Sequence, residues 1–104
     1  MIHNIEEYLT DNFNLLKEFC KTKRRFWNTK SYKIVYNIIY DNNVFKLITE
    51  GETFITRGDD ILDKPIEFFT EQYERYIIKD SRKTTVEFFK NFQTFVNLKK
   101  VANG

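Results

Sequence analysis

The chain has 104 residues, with 17 Lys and Arg, 15 Asp and Glu, one His and one Cys. This length fits a single domain, 1–104, and its 11 Phe and 6 Tyr can supply a core, while no apolar run approaches the ~20 residues of a membrane span. One cysteine excludes an internal disulfide, and the N-terminus lacks the basic and apolar regions of a secretion signal, so a reducing cytoplasm is expected, the host's if the gene is viral.

The formal charge of +2 conceals an uneven distribution. Residues 21–33 carry Lys21, Lys23, Arg24, Arg25, Lys30 and Lys33 with no acid, whereas residues 34–80 are net acidic.

Residues 4 to about 26 have helical spacing, with Ile5, Leu9, Leu16, Phe19 and Cys20 on one stripe and Tyr8, Phe13 and Leu15 widening it. Asn4 is the expected N-cap with Glu7 three residues later, and Asn12 marks a point where the helix can break. The bases Lys21, Lys23, Arg24 and Arg25 then suit a helix C-terminus. Lys21, Lys23, Arg24, Arg25 and Lys30 beside Phe26, Trp27 and Tyr32 also suit nucleic acid, the cations for phosphates and the rings for bases, or an acidic protein partner. No base-reading motif is present.

Residues 32 to 57 predict a three-stranded antiparallel meander. Tyr32, Ile34, Tyr36, Ile38 and Tyr40 alternate with Lys33, Val35, Asn37 and Ile39, and Asp41-Asn42-Asn43 supplies turn residues that tolerate positive φ. With Asn42-Asn43 and Glu50-Gly51 as two-residue loops, Tyr40 pairs with Phe45, Ile38 with Leu47, and Leu47 with Phe54 of a third strand, 52–57. The opposite face then gathers Val35, Ile39, Ile48 and Ile55, which either lie under a helix or chain end or form an apolar surface for a partner.

Asp59-Asp60-Ile61-Leu62-Asp63 suits a turn leading into a helix that starts near Pro65; its carboxylates lack the spacing of a calcium or nuclease site. Residues 65 to about 79 form that helix, with Ile66, Phe69, Tyr73, Tyr76 and Ile77 on one stripe. A last helix, capped by Thr84 or Ser81, runs to about Leu98, and Val101 to Gly104 are expected to fray. Phe88, Phe89, Phe92, Phe95, Val96 and Leu98 cover more than one of its faces, so it lies between layers or meets a second copy in a homodimer. The expected architecture is α+β: an N-terminal helix, a three-stranded meander and two C-terminal helices packed on the sheet.

Catalytic signatures are sparse. His3 sits at a chain end, Cys20 lies on an apolar stripe, and there is no phosphate loop, dinucleotide fingerprint or CxxC pair, so no cofactor, no metal and no enzyme activity is expected. A small metal-free ribonuclease remains an alternative, with Arg24, Arg25, Tyr32 and Arg57 as its candidates.

The order of elements, the Asn-rich turn and the stretch Glu87-Phe88-Phe89-Lys90-Asn91-Phe92-Gln93-Thr94 resemble a Cas9 inhibitor among the phage-encoded anti-CRISPR proteins. The resemblance implies a compact virus- or mobile-element-encoded protein that works by occupying a host protein. That inhibitor is strongly acidic and occupies the site where Cas9 reads DNA, whereas this chain is mildly basic, so no functional residue is carried over. The expected function is a non-enzymatic binding protein that inhibits or redirects a larger partner, with a nucleic-acid-binding module using 21–33 as the alternative.

Overall fold

A computed structural model describes residues 2–22, 25–29, 34–51, 58–75 and 83–103, with side chains described within 2–21, 38–48, 60–75 and 86–102. The fold is α+β. Its elements are α1 (Ile5–Asp11), α2 (Phe13–Thr22), β1 (Arg25–Thr29), β2 (Ile34–Asp41), β3 (Val44–Gly51), β4 (Gly58–Ile61), α3 (Pro65–Tyr73) and α4 (Lys83–Asn103).

The N-terminal stripe forms two helices. Asn4 caps α1 by accepting the Glu7 N–H on its side-chain oxygen at 3.1 Å. Asn12 makes the break: both its N–H and its Nδ2 donate to the Tyr8 carbonyl, at 3.1 and 2.8 Å, closing α1. Its own carbonyl accepts the Leu16 N–H, opening α2. Asn12 is a buried polar residue, and these bonds pair its N–H, its Nδ2 and its carbonyl oxygen.

The helix expected to reach residue 26 ends at Thr22, and Arg25–Thr29 is instead strand β1, paired antiparallel with β2 so that Trp27 faces Tyr36 in the ladder. A meander starting at β2 would expose a long edge of unpaired backbone groups; β1 pairs that edge. Arg25 therefore belongs to a strand, not to a helix C-terminus.

The β2–β3 hairpin follows the alternation. Asn42 and Asn43 have φ of 51° and 66°, the left-handed pair that a two-residue turn needs, and Tyr40 pairs with Phe45 and Ile38 with Leu47. Beyond it the register departs from expectation. Glu50 and Gly51 are not a turn but the end of β3, opposite Val35 and Ile34. The strand on the far side of β3 is β4, so Leu47 pairs with Asp60 rather than Phe54. The third strand expected over 52–57 lies outside the described residues. Asp59, Asp60 and Ile61 are extended, not a turn into a helix, and the Leu62 N–H continues the ladder to the Phe45 carbonyl at 2.8 Å. Among the described strands β4 lies at the edge, where acidic residues are tolerated and discourage pairing with another chain. The described strands form one antiparallel sheet in the order β1-β2-β3-β4.

Pro65 opens α3, where its missing N–H costs nothing, although Lys64 occupies the cap position without a side-chain bond. The expected extension of α3 to 79 lies outside the described residues beyond Arg75. In α4, Thr84 sits inside the first turn rather than capping it, Ser81 lies outside the described residues, and the helix continues through Val101 to Asn103.

Helix α2 packs on β2 and α4 on β1. The core joins Leu9, Leu16, Phe19 and Cys20 of the first two helices to Ile38 and Phe45 of the sheet, Phe69 and Tyr73 of α3, and Phe88, Phe89, Phe92 and Val96 of α4. Its centre is aromatic. Phe69 stacks on Phe88 with centroids 5.5 Å apart and planes at 4°, and Phe19 meets Phe88, Phe92 and Phe95 at 5.3–5.5 Å. Burying one such ring contributes about 1.5–3 kcal/mol. The Ile2 N–H donates to the Tyr73 hydroxyl at 3.0 Å, fastening the N-terminus to α3.

Candidate functional site

At one end of the sheet, α2, the β2–β3 turn and the segment from β4 to α3 enclose an open cleft of about 340 Å³. Phe13 and Lys17 form its α2 wall, Tyr40, Asn43, Val44 and Phe45 come from the hairpin, and Ile61, Leu62, Asp63 and Pro65 complete it. The volume is at the lower end of ligand and side-chain pockets.

Local rules bring these groups together. Phe13, Lys17 and Lys21 recur every fourth residue of α2, so they share a side of that helix, while Leu16, Phe19 and Cys20 turn into the core. The turn at Asn42-Asn43 fixes the Tyr40–Phe45 pair, with centroids 4.8 Å apart. Phe45 also meets Phe13 at 5.7 Å and Phe69 at 6.0 Å, which ties the floor of the cleft to the aromatic centre of the core.

Two ammonium groups stand over this aromatic wall. Lys17 Nζ lies 5.0 Å from the Phe13 centroid and 5.9 Å from that of Tyr40; Lys21 Nζ lies 5.4 Å from Tyr40. Each contact is worth roughly 0.5–1 kcal/mol at a surface. Among the described residues neither lysine is in an ion pair, in contrast to Lys99 of α4, which meets Glu18 of α2 at 2.9 Å. Lys21 is exposed and Lys17 half-buried. Asp63 supplies a negative charge among the remaining lining residues. Ile61, 58 % exposed, borders the cleft at the edge of the sheet, but its pairing with Lys46 puts its side chain on the face opposite Phe45.

The residues singled out in the sequence are distributed differently. Of the apolar row, Ile48 is buried at 9 % exposure and Ile39 is half-buried. Ile39, Lys46 and Ile61 are consecutive partners across β2, β3 and β4. The exposed apolar member of that row is therefore Ile61, not Ile39. Val35 lies in β2 opposite Glu50; its side chain, and Ile55 altogether, are outside the described residues. Of the basic stretch, only Lys21 contributes a described side chain. Arg25 and Trp27 belong to β1 by backbone, and Lys23, Arg24 and Lys30 are outside the described residues. So are the ribonuclease candidates Tyr32 and Arg57.

Cys20 is buried and His3 exposed. Among the described residues no group of three or more His, Cys, Asp or Glu side chains is placed to hold a metal ion, and no helix is long and apolar enough to cross a membrane. On α4, Phe88, Phe89, Phe92 and Val96 are buried, whereas Leu98 and Val101 are 65 % and 80 % exposed on its last turns.

Sequence reasoning did not single out Lys17, Tyr40, Asn43 or Ile61 as site residues. The available signal was the four-residue spacing of Phe13, Lys17 and Lys21. The partner of that stripe, the end of the β2–β3 hairpin, is set by tertiary packing. Comparison with protein-family models, with curated proteins and with solved structures gives no match for this chain.

Proposed function

We propose that the chain is a non-enzymatic binding protein that engages a larger macromolecular partner, inhibiting or redirecting it, through the cleft at the end of the sheet. The observation that carries this reading is the combination at the cleft of half-buried Phe13 and Tyr40 rings and two lysines without carboxylate partners among the described residues. Apolar groups flanked by charge at a concave site are the usual anchor points of an interface. The floor is braced by Phe45 and Phe69, so a bound side chain meets a preformed surface and little ordering cost is incurred. A virus- or mobile-element-encoded inhibitor of a host defence protein is one instance of this class.

The test is affinity capture from bacterial lysate by the intact tagged chain and by Phe13→Ala, each divided into nuclease-treated and untreated halves. Phe13 is half-buried, so the substitution should cost about 1 kcal/mol, and thermal unfolding establishes that the variant is folded. Proteins that persist after nuclease treatment and are lost with Phe13→Ala fit the reading. Equal capture by both chains removes the cleft from it.

A second reading, a nucleic-acid-binding module, is favoured by Lys21, which lies over the Tyr40 ring and begins the basic stretch 21–33. It predicts that nucleic acid alone is retained, disappears with nuclease, and binds more weakly as salt rises, since phosphate contacts release counterions.

A further inference from the structure

We infer that the cleft takes an acidic peptide segment of a protein partner, with an aliphatic or aromatic side chain seated against Phe13, Tyr40 and Phe45 and a neighbouring carboxylate received by Lys17 and Lys21. This rests on the binding-protein reading above and specifies the partner's chemistry.

Charge complementarity carries the argument. A cation held over a ring face keeps its outward N–H donors available, because the ring occupies only one side of the ammonium. Lys17 and Lys21 are both held this way, one helical turn apart, and no carboxylate of the described residues neutralises them. A carboxylate on the α2 side of the cleft gains charge-assisted hydrogen bonds there without breaking an existing ion pair. Asp63, lining the same cleft, disfavours a second carboxylate beside it. The preferred occupant is therefore acidic at one end and apolar in the middle.

The dimensions suit a single side chain. A volume of about 340 Å³ holds one large apolar residue with its backbone, and the cleft is open to solvent, so a peptide can cross it. A nucleic acid strand, by contrast, would present a phosphate at every nucleotide and meet Asp63 and the exposed Asp60 of β4 nearby in sequence.

The experiment selects short random peptides displayed on phage against the intact chain, with Lys17→Glu/Lys21→Glu and Lys17→Arg/Lys21→Arg as paired variants. Thermal unfolding establishes that all three chains are folded. The expected result is enrichment of peptides carrying Asp or Glu beside an aliphatic or aromatic residue. These should bind the arginine variant about as well as the parent and the glutamate variant roughly tenfold or more weakly. Enriched peptides that are neutral or basic, but lose binding with Phe13→Ala, overturn the acidic partner while leaving the binding reading intact. A single-stranded oligonucleotide that binds with the same lysine dependence, with no acidic peptide selected, overturns both. Enrichment that ignores the lysines and Phe13 alike also overturns both.

Discussion

Aromatic side chains build both the centre of this protein and its cleft, but they find different neighbours in each. In the centre, Phe19, Phe69, Phe88 and Phe92 are buried and meet other rings. In the cleft, Phe13 and Tyr40 are half-buried; each meets the buried Phe45 on one side and an ammonium group on another. The difference teaches where the molecule has capacity to spare. Core rings have exchanged water for close-packed neighbours, so their surface is already used for stability. Cleft rings retain surface that a partner can cover, and the cations beside them select what kind of partner gains by doing so.

The largest expected effect breaks that comparison if it is wrong. Phe69→Ala should destabilise the fold by about 3–5 kcal/mol, because it removes the stacked partner of Phe88 and leaves a cavity. Phe13→Ala, half-buried at the cleft, should cost about 1 kcal/mol, near the centre of ordinary substitutions. Urea denaturation of the two variants measures both. Equal losses would mean that Phe13 is core and that the cleft has no ring surface to offer.

The next effect concerns the turn that shapes the cleft's hairpin wall. Asn43 has φ of 66°, a conformation that a β-branched side chain resists by roughly 1–2 kcal/mol. Asn43→Val should lower stability by about that amount, whereas Asn43→Gly should be neutral or mildly stabilising, since Asn-Gly is a favoured sequence for this turn. If valine is tolerated as well as glycine, the left-handed turn is not what fixes the Tyr40–Phe45 pair.

How much of this was legible beforehand follows the same division. The hairpin was readable because alternation and the Asn-Asn turn agree, so the Tyr40–Phe45 and Ile38–Leu47 pairs could be written from local rules. Asn4, Asn12 and Pro65 carry their signals within a few residues, and the Phe88–Phe92 stripe shows its period. Strand β1 was hidden because Arg25 follows a run of bases that is equally consistent with a helix end, and only pairing with β2 decides otherwise. Strand β4 was hidden because Asp59-Asp60 has poor strand propensity and is extended by its partner β3. The cleft was the least legible part. It joins residues 13–21, 40–45 and 61–65, and no local pattern says that these segments meet.

The smallest effect sharpens the boundary between the two regions, at Tyr8. Its ring meets Phe92 edge-on at 6.0 Å while the residue stays half-buried, and burial raises its phenol above the ordinary value of 10.0. The folded state therefore holds this proton more tightly than the unfolded chain does. Its contribution to stability is fully present below pH 10 and is lost as pH rises from there through the folded-state value. Tyr8→Phe keeps the ring contact and removes the titration. Urea denaturation of the two chains from neutral pH to above pH 10 should show the parent losing stability relative to Tyr8→Phe in the alkaline range. The lysines and the other tyrosines are common to both chains and drop out of the difference. A difference that stays constant with pH would mean that the phenol is solvated in the folded state, and that Tyr8 resembles the cleft rings more than the core rings it touches.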